Sequence, residues 1–86
     1  MASFTYIESS PFNYGGFAQY LFNSCPNVRL EKDGGIGRHT LSSAIQVELN
    51  VDNSTAMGII KQFESLGFIK GYSPYHGSGT YLYYQK

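Results

Sequence analysis

Apolar residues recur every three or four positions in three parts of the chain, which is the spacing that places them on one face of a helix. The first part covers residues 17–25, where Phe17 and Leu21 fall on the apolar face. Gly15–Gly16 precede this part and Pro26 follows it, and such residues commonly mark helix boundaries. The spacing therefore predicts a short helix over 17–25.

The second part predicts a helix over residues 40–50, with the hydroxyl of Thr40 as its N-cap. Its apolar face consists of Leu41, Ala44, Ile45 and Leu49. Residues 50–53 interrupt this spacing, and they predict a tight turn before the next helix.

The third part predicts a helix over residues 53–66, capped by Asp52 or Asn53 at its start. Gly67 is expected to end it, because glycine readily adopts the left-handed conformation of a helix C-cap. The buried stripe of this helix is expected to contain Ala56, Ile59, Ile60, Phe63 and Leu66.

Shorter segments have the alternation of strands. Val28–Glu31 is a candidate strand, Asp33-Gly34 suits a hairpin turn, and Ile36–His39 is expected to return beside that strand. Phe4–Ile7 can add a further short strand.

The end of the chain predicts an antiparallel hairpin from Phe68 to Tyr84. Residues 68–70 form its first strand, 71–79 its glycine-rich loop, and 80–84 its second strand. Since side chains alternate along a strand, Leu82 and Tyr84 are expected on one face.

Helix, tight turn, second helix and glycine-rich hairpin is the element order of a winged helix-turn-helix. The predicted fold class is therefore α+β, with three helices and a small antiparallel β-sheet that includes the wing hairpin. Residues 1–86 form a single domain, in which residues 1–14 are an N-terminal arm anchored by Phe4, Tyr6 and Phe12. An apolar share of 42 %, with 8 Tyr and 6 Phe, suffices for one modest core.

Six basic residues balance six acidic ones, so the formal net charge is zero. DNA-binding domains usually carry a basic excess, because neutralising phosphates supplies most of their non-specific affinity. Either DNA binding depends on a local patch here, or the scaffold serves another partner. Near-neutral charge also favours self-association, and we expect a homodimer that pairs through the first helix and the arm.

The single cysteine, Cys25, excludes an internal disulfide and is compatible with a cytoplasmic location. We expect it to be a buried structural thiol, since neither a base nor an orienting group for a nucleophile is evident. No stretch approaches the ~20 apolar residues of a membrane span, and the N-terminus lacks the features of a signal peptide. We therefore expect no membrane contact.

The outer face of the third helix carries most of the candidate DNA contacts. If Ala56, Ile60 and Phe63 point inward, small and polar residues point outward. Hydroxyls can bond phosphates or bases, glutamine can recognise adenine, and lysine can bind phosphate or guanine. The predicted DNA-binding residues are Arg38, Ser54, Thr55, Gly58, Lys61, Gln62, Lys70, His76 and Ser78.

Gly58 and the tyrosines of the hairpin each have more than one interpretation. Glycine inside a helix costs ~1 kcal/mol relative to alanine, so Gly58 either lets a DNA backbone or a partner approach closely or relieves a helix–helix contact. Tyrosines crowd the hairpin, and they can cover the core, stack on bases of single-stranded nucleic acid or contact a protein. These are Tyr72, Tyr75, Tyr81, Tyr83 and Tyr84.

Residues Ser43–Gln46 through Gly67–Ile69 resemble the winged-helix gamma domain of bacterial DNA translocases over about a third of the chain. The matching features are Gln46, Leu49, Ala56, Ile59, Ile60, Glu64 and the Gly67-Phe68-Ile69 exit. The resemblance rests mainly on core and turn positions, and it implies the winged-helix fold. The family recognises DNA through an Asn-Arg pair and a later Arg, which correspond to Ser54, Thr55 and Gly58 here. Both arginines are absent, so the family's target sequence is not expected.

Other chemistry finds little support. His39 and His76 lack the matching Cys or carboxylate spacing of a metal site. Gly34–Gly37 lacks the Lys-Ser/Thr pair that completes a phosphate-binding loop, and a hairpin turn is preferred. With no nucleophile–base pair or carboxylate pair, we expect neither an enzyme nor a cofactor.

These features favour a protein that binds double-stranded DNA, such as a small transcriptional or replication regulator. The alternative is a protein-interaction module on a winged-helix scaffold, for example a phage or plasmid protein that occupies the surface of a host protein.

Overall fold

A computed structural model describes residues 4–7, 9–30, 35–72 and 81–85. The described residues form three helices and three short strands. The helices are α1 (Tyr14–Asn23), α2 (Arg38–Leu49) and α3 (Asn53–Leu66), and the strands are β1 (Ile36–Gly37), β2 (Ile69–Tyr72) and β3 (Tyr81–Tyr84). The predicted α+β class, with helices beside a small antiparallel sheet, is confirmed.

Helix α1 begins earlier than its spacing predicted. Asn13 is the N-cap, and its Oδ1 accepts a hydrogen bond from the amide of Gly16 at 2.9 Å. Gly15–Gly16, predicted to precede the helix, therefore lie in its first turn, where the cap offsets the low helix propensity of glycine. A Cβ at residue 15 would lie 3.2 Å from the ring of Phe68, so Gly15 lets that ring pack closely against α1.

Helix α2 also begins before its predicted start. Gly37 is the N-cap without a side-chain hydrogen bond, and Thr40, the predicted cap, lies in the first turn. Arg38 and His39, predicted to continue a strand, are the first residues of the helix, because β1 leads directly into it. The predicted apolar face is confirmed, since Leu41, Ala44, Ile45 and Leu49 are all buried.

Helix α3 has the predicted bounds, with Asp52 as its N-cap and Gly67 as its left-handed C-cap at φ 84°. Four of the five residues predicted to be buried are so: Ala56, Ile59, Ile60 and Phe63. Leu66 is the exception, with half of its side chain exposed. The chain turns at Gly67, and the amide of Phe68 donates to the carbonyl of Phe63 at 2.9 Å. This turn packs the Phe68 ring against the Phe63 ring, with 6.4 Å between their centroids, so Phe68 takes the place expected of Leu66.

The turn between α2 and α3 is as tight as predicted. Asn50 adopts the left-handed conformation at φ 55°, and its amide donates to the carbonyl of Gln46. Only Val51 and Asp52 separate Asn50 from the first residue of α3. The two helices are therefore joined by a connection of three residues.

The sheet is antiparallel with β3 in its centre, in the order β1-β3-β2. The β2–β3 hairpin was predicted, although its loop, residues 73–80, lies outside the described residues. The other predicted pairing is wrong. Val28–Leu30 form no strand, and β1 pairs with β3 through Ile36 and Leu82, which are both fully buried.

The N-terminal arm belongs to the core, as predicted, but through its rings and not through a strand at Phe4–Ile7. The ring of Phe17 in α1 lies 5.1 Å from that of Phe4 and 5.5 Å from that of Phe12. Tyr6 packs on Phe12 with 5.3 Å between centroids. Aromatic packing therefore replaces the expected backbone pairing. Cys25 is buried in the same core, as expected of a structural thiol.

Candidate nucleic-acid interface

The outer face of α3 carries small and polar side chains along its whole length. Its exposed members are Ser54, Gly58, Lys61, Gln62 and Ser65. The opposite face contributes Ile60 and Phe63 to the core, both fully buried. The apolar spacing therefore predicted the orientation of this helix correctly, and four of the predicted contact residues, Ser54, Gly58, Lys61 and Gln62, are exposed on its outer face.

Thr55 is less available for a DNA contact than the sequence predicted. Its side chain is half-buried, and its amide donates to Asp52 Oδ1 at 2.8 Å. Hydrogen bonds from the Thr55 side chain and then from its amide lower the pKa of the Asp52 carboxyl below the ordinary 3.8. Asp52 is therefore ionised at neutral pH, and part of the hydrogen-bonding capacity of Thr55 is used by the cap.

A partly buried hydrogen bond joins α2 to the start of α3. Ser42, which is fully buried, donates from its hydroxyl to Asn53 Oδ1 at 2.7 Å. The amide nitrogen of Gln46 donates to the Ser42 hydroxyl at 3.2 Å. Buried polar groups of this kind favour one arrangement of the elements that they connect. Ser42 was not singled out in the sequence, although a serine on the apolar face of α2, four residues before Gln46, is a usable signal.

Arg38 is held by an acidic partner. Its Nη1 lies 2.7 Å from Glu64 Oε1, and about a third of each side chain is exposed. Residues three apart are neighbours on a helix surface, so the pair lies beside Lys61 on α3. The predicted phosphate contact of Arg38 would have to compete with Glu64, and the ion pair leaves Lys61 as the uncompensated cation on the outer face of α3 among the described residues.

Gly58 faces open space. A Cβ added to this residue would meet no atom within 4 Å. Of the two interpretations of this glycine, relief of a helix–helix contact therefore has no support among the described residues. The described fold therefore does not require a glycine at this position.

An open cleft of about 500 Å³ lies against the N-terminal half of α3. Its lining includes three predicted contact residues together with Tyr6 of the arm and two residues of the turn. The lining residues are Tyr6, Val51, Asp52, Ser54, Thr55 and Gly58. Burial and then the neighbouring Tyr6 side chain raise the pKa of Tyr14, so Tyr6 lies beside Tyr14 while it borders the cleft. Sequence reasoning missed Tyr6, because its position opposite α3 depends on how the arm packs.

The hairpin supplies one described candidate. Lys70 is exposed on β2 and lies opposite Tyr83 of β3. The predicted contacts His76 and Ser78 lie outside the described residues.

No described helix is long and apolar enough to cross a membrane. Within the same residues, no three His, Cys, Asp or Glu side chains are grouped so that they could hold a metal ion.

Comparison of the chain with protein-family models, with curated proteins and with solved structures gave no match. Assignment of a function therefore depends on the chemistry of α3, its cleft and the hairpin.

Proposed function

We propose that this protein binds double-stranded DNA as a winged helix-turn-helix, with α3 in the major groove and the β2–β3 hairpin as its wing. It would act as a small transcriptional or replication regulator. The element order supports this proposal, since a tight turn joins α2 to α3 and an antiparallel hairpin follows. The major groove, about 12 Å wide, admits a helix of this kind.

The outer face of α3 is the observation that carries the proposal. It combines exposed hydroxyl, amide and ammonium groups with a glycine that the fold does not require. Hydroxyl and ammonium groups bind phosphates, and the amide of Gln62 can bond an adenine edge. A helix with small residues on its outer side can also approach the floor of a groove closely. The same face carries no large apolar side chain between residues 54 and 65.

Lys61 gives the proposal a quantitative test. Fluorescence anisotropy with a labelled random duplex, measured from about 50 to 200 mM salt, gives the slope of log affinity against log salt. If Lys61 contacts a phosphate, Lys61→Ala lowers the affinity and reduces this slope by about one unit. Arg29→Ala is the matched control, because it removes the same charge from an exposed residue outside α3 and the hairpin.

The outcomes are separable. A smaller slope for Lys61→Ala but not for Arg29→Ala supports α3 as the contact surface. Equal effects of the two variants mean that only net charge matters. Unchanged binding by a Lys61→Ala/Gln62→Ala double variant contradicts the placement of α3, and no duplex binding at 50 mM salt contradicts the function itself.

Protein recognition on the same scaffold is the second candidate, favoured by the Arg38–Glu64 ion pair. That pair neutralises a cation beside α3 in a chain whose net charge is already zero.

Two variants of the hairpin loop distinguish the two candidates. On DNA, a His76–phosphate contact would strengthen binding as pH falls toward 6, and His76→Ala would remove this dependence. If the partner is instead a protein, Tyr75→Ala would abolish capture of that protein, and neither Tyr75→Ala nor His76→Ala would change DNA binding.

A further inference from the structure

The cleft beside the N-terminal half of α3 has the chemistry of a base-edge site. It is bordered by Asp52 and Val51 of the turn, by Ser54 and Gly58 on α3, and by Tyr6 from the arm. In helix-turn-helix proteins, the N-terminal residues of the recognition helix contact the base edges. On the proposed function, on which this inference rests, the cleft therefore opens toward the floor of the groove.

Charge decides which group can enter the cleft. The Asp52 carboxylate is exposed and is ionised at neutral pH. A phosphate oxygen would be repelled by it, whereas an amino group of a base would be attracted. The amide of Thr55 donates to Asp52 Oδ1 and the Thr55 side chain also bonds this carboxylate, whereas a carboxylate has about four acceptor positions. The cap therefore leaves capacity for a further donor.

Two bases present an amino group in the major groove, cytosine through N4 and adenine through N6. Adenine also presents the acceptor N7 beside its amino group, and a carboxylate is repelled by that lone pair. Cytosine has a C–H group at the corresponding place, which a carboxylate tolerates. The accepted pairing for Asp and Glu is accordingly with cytosine N4.

We propose that the cleft formed by Tyr6, Asp52, Ser54 and Gly58 receives the major-groove edge of a C·G pair, with Asp52 accepting a hydrogen bond from cytosine N4. The small side chains of Ser54 and Gly58 leave room for the base, and Tyr6 of the arm lines the same cleft. The arm thereby becomes part of the DNA interface.

Selection of bound duplexes from a random-sequence pool tests this proposal, with Asp52→Asn as the decisive variant. Asparagine caps helices about as well as aspartate, so thermal denaturation should show little change. The wild type is expected to select a site with one position at which cytosine is favoured about tenfold over the other bases. In Asp52→Asn that preference is lost or moves to adenine, which asparagine pairs with, while affinity for random duplex stays equal or rises because a negative charge is gone.

Glu64→Gln is the matched control for base preference alone, since it removes the same charge from α3 outside the cleft but also frees Arg38 and thereby changes the overall affinity. Retention of the cytosine preference in Glu64→Gln and its loss in Asp52→Asn support the site. Duplex binding without a cytosine position, or with one that Asp52→Asn leaves intact, overturns this inference and leaves the proposed function standing. Failure of the wild type to bind any duplex at low salt overturns both.

Discussion

Replacing Gly58 with alanine distinguishes the effect of this glycine on protein stability from its effect on DNA affinity. Glycine in a helix interior is less favourable than alanine by about 0.5–1 kcal/mol. Residue 58 lies well inside α3, and an added Cβ would meet no atom within 4 Å. Because no clash opposes the gain in helix propensity, Gly58→Ala should stabilise the protein by nearly this full amount.

For a domain of 86 residues, about 1 kcal/mol corresponds to a change of roughly 4–8 °C in Tm. We therefore expect the Tm of Gly58→Ala to rise by about 2–8 °C, as measured by circular dichroism. If DNA approaches α3 closely at this residue, the new methyl group will instead weaken binding. Insertion of a methyl group into a packed contact costs about 1–3 kcal/mol, which is a loss of roughly five- to 150-fold in duplex affinity.

Ser65→Ala is the control for this variant, because residue 65 lies two turns further along the same exposed face. It also favours the helix but shortens the side chain. A fall in Tm for Gly58→Ala would refute the description of the space around residue 58. A higher Tm with unchanged duplex affinity would refute close approach at this point and leave the glycine without a function.

Four other predictions can be tested, three from the structure and one from the composition of the chain. Phe63→Ala should lower the free energy of unfolding by about 3–5 kcal/mol in chemical denaturation, because the ring is fully buried; a loss below 1 kcal/mol would contradict its place in the core. Glu64→Gln should release Arg38, steepen the salt dependence of duplex binding and cost under about 1 kcal/mol of stability, since the ion pair is partly exposed; an unchanged salt slope would mean that Arg38 makes no phosphate contact. The pKa of Asp52 is depressed in the folded state, so its contribution to stability is present above pH 3.8 and is lost as pH falls through the folded pKa; the acid dependence of Tm should be weaker in Asp52→Asn, and identical profiles would contradict the cap. Sedimentation at micromolar concentration, with and without duplex, tests the expected homodimer, and a monomer under both conditions would exclude it.

The sequence by itself determined the helices and their orientation where the apolar spacing was regular and the caps were local. Asp52 and Gly67 cap the two ends of α3 through contacts within a few residues, so both ends could be predicted. The same spacing identified the inner and outer faces of α3, and with them the candidate contacts Lys61 and Gln62. Local rules suffice here because each of these signals acts within one or two helical turns.

Tertiary structure decided the features that depend on residues far apart in the chain. The short strand β1 pairs with β3, 45 residues or so away, because Ile36 and Leu82 are buried together, and no local alternation could indicate that partner. Phe68 closed the core where Leu66 was expected, since the Gly67 turn redirects the chain. The candidate site differs from its sequence prediction for the same reason. Arg38 forms an ion pair with Glu64, Ser42 donates a hydrogen bond to Asn53, and Tyr6 of the arm lines the cleft on α3. The sequence determines which chemical groups the protein carries. Packing between distant segments determines which of them form ion pairs, form hydrogen bonds or line the same cleft.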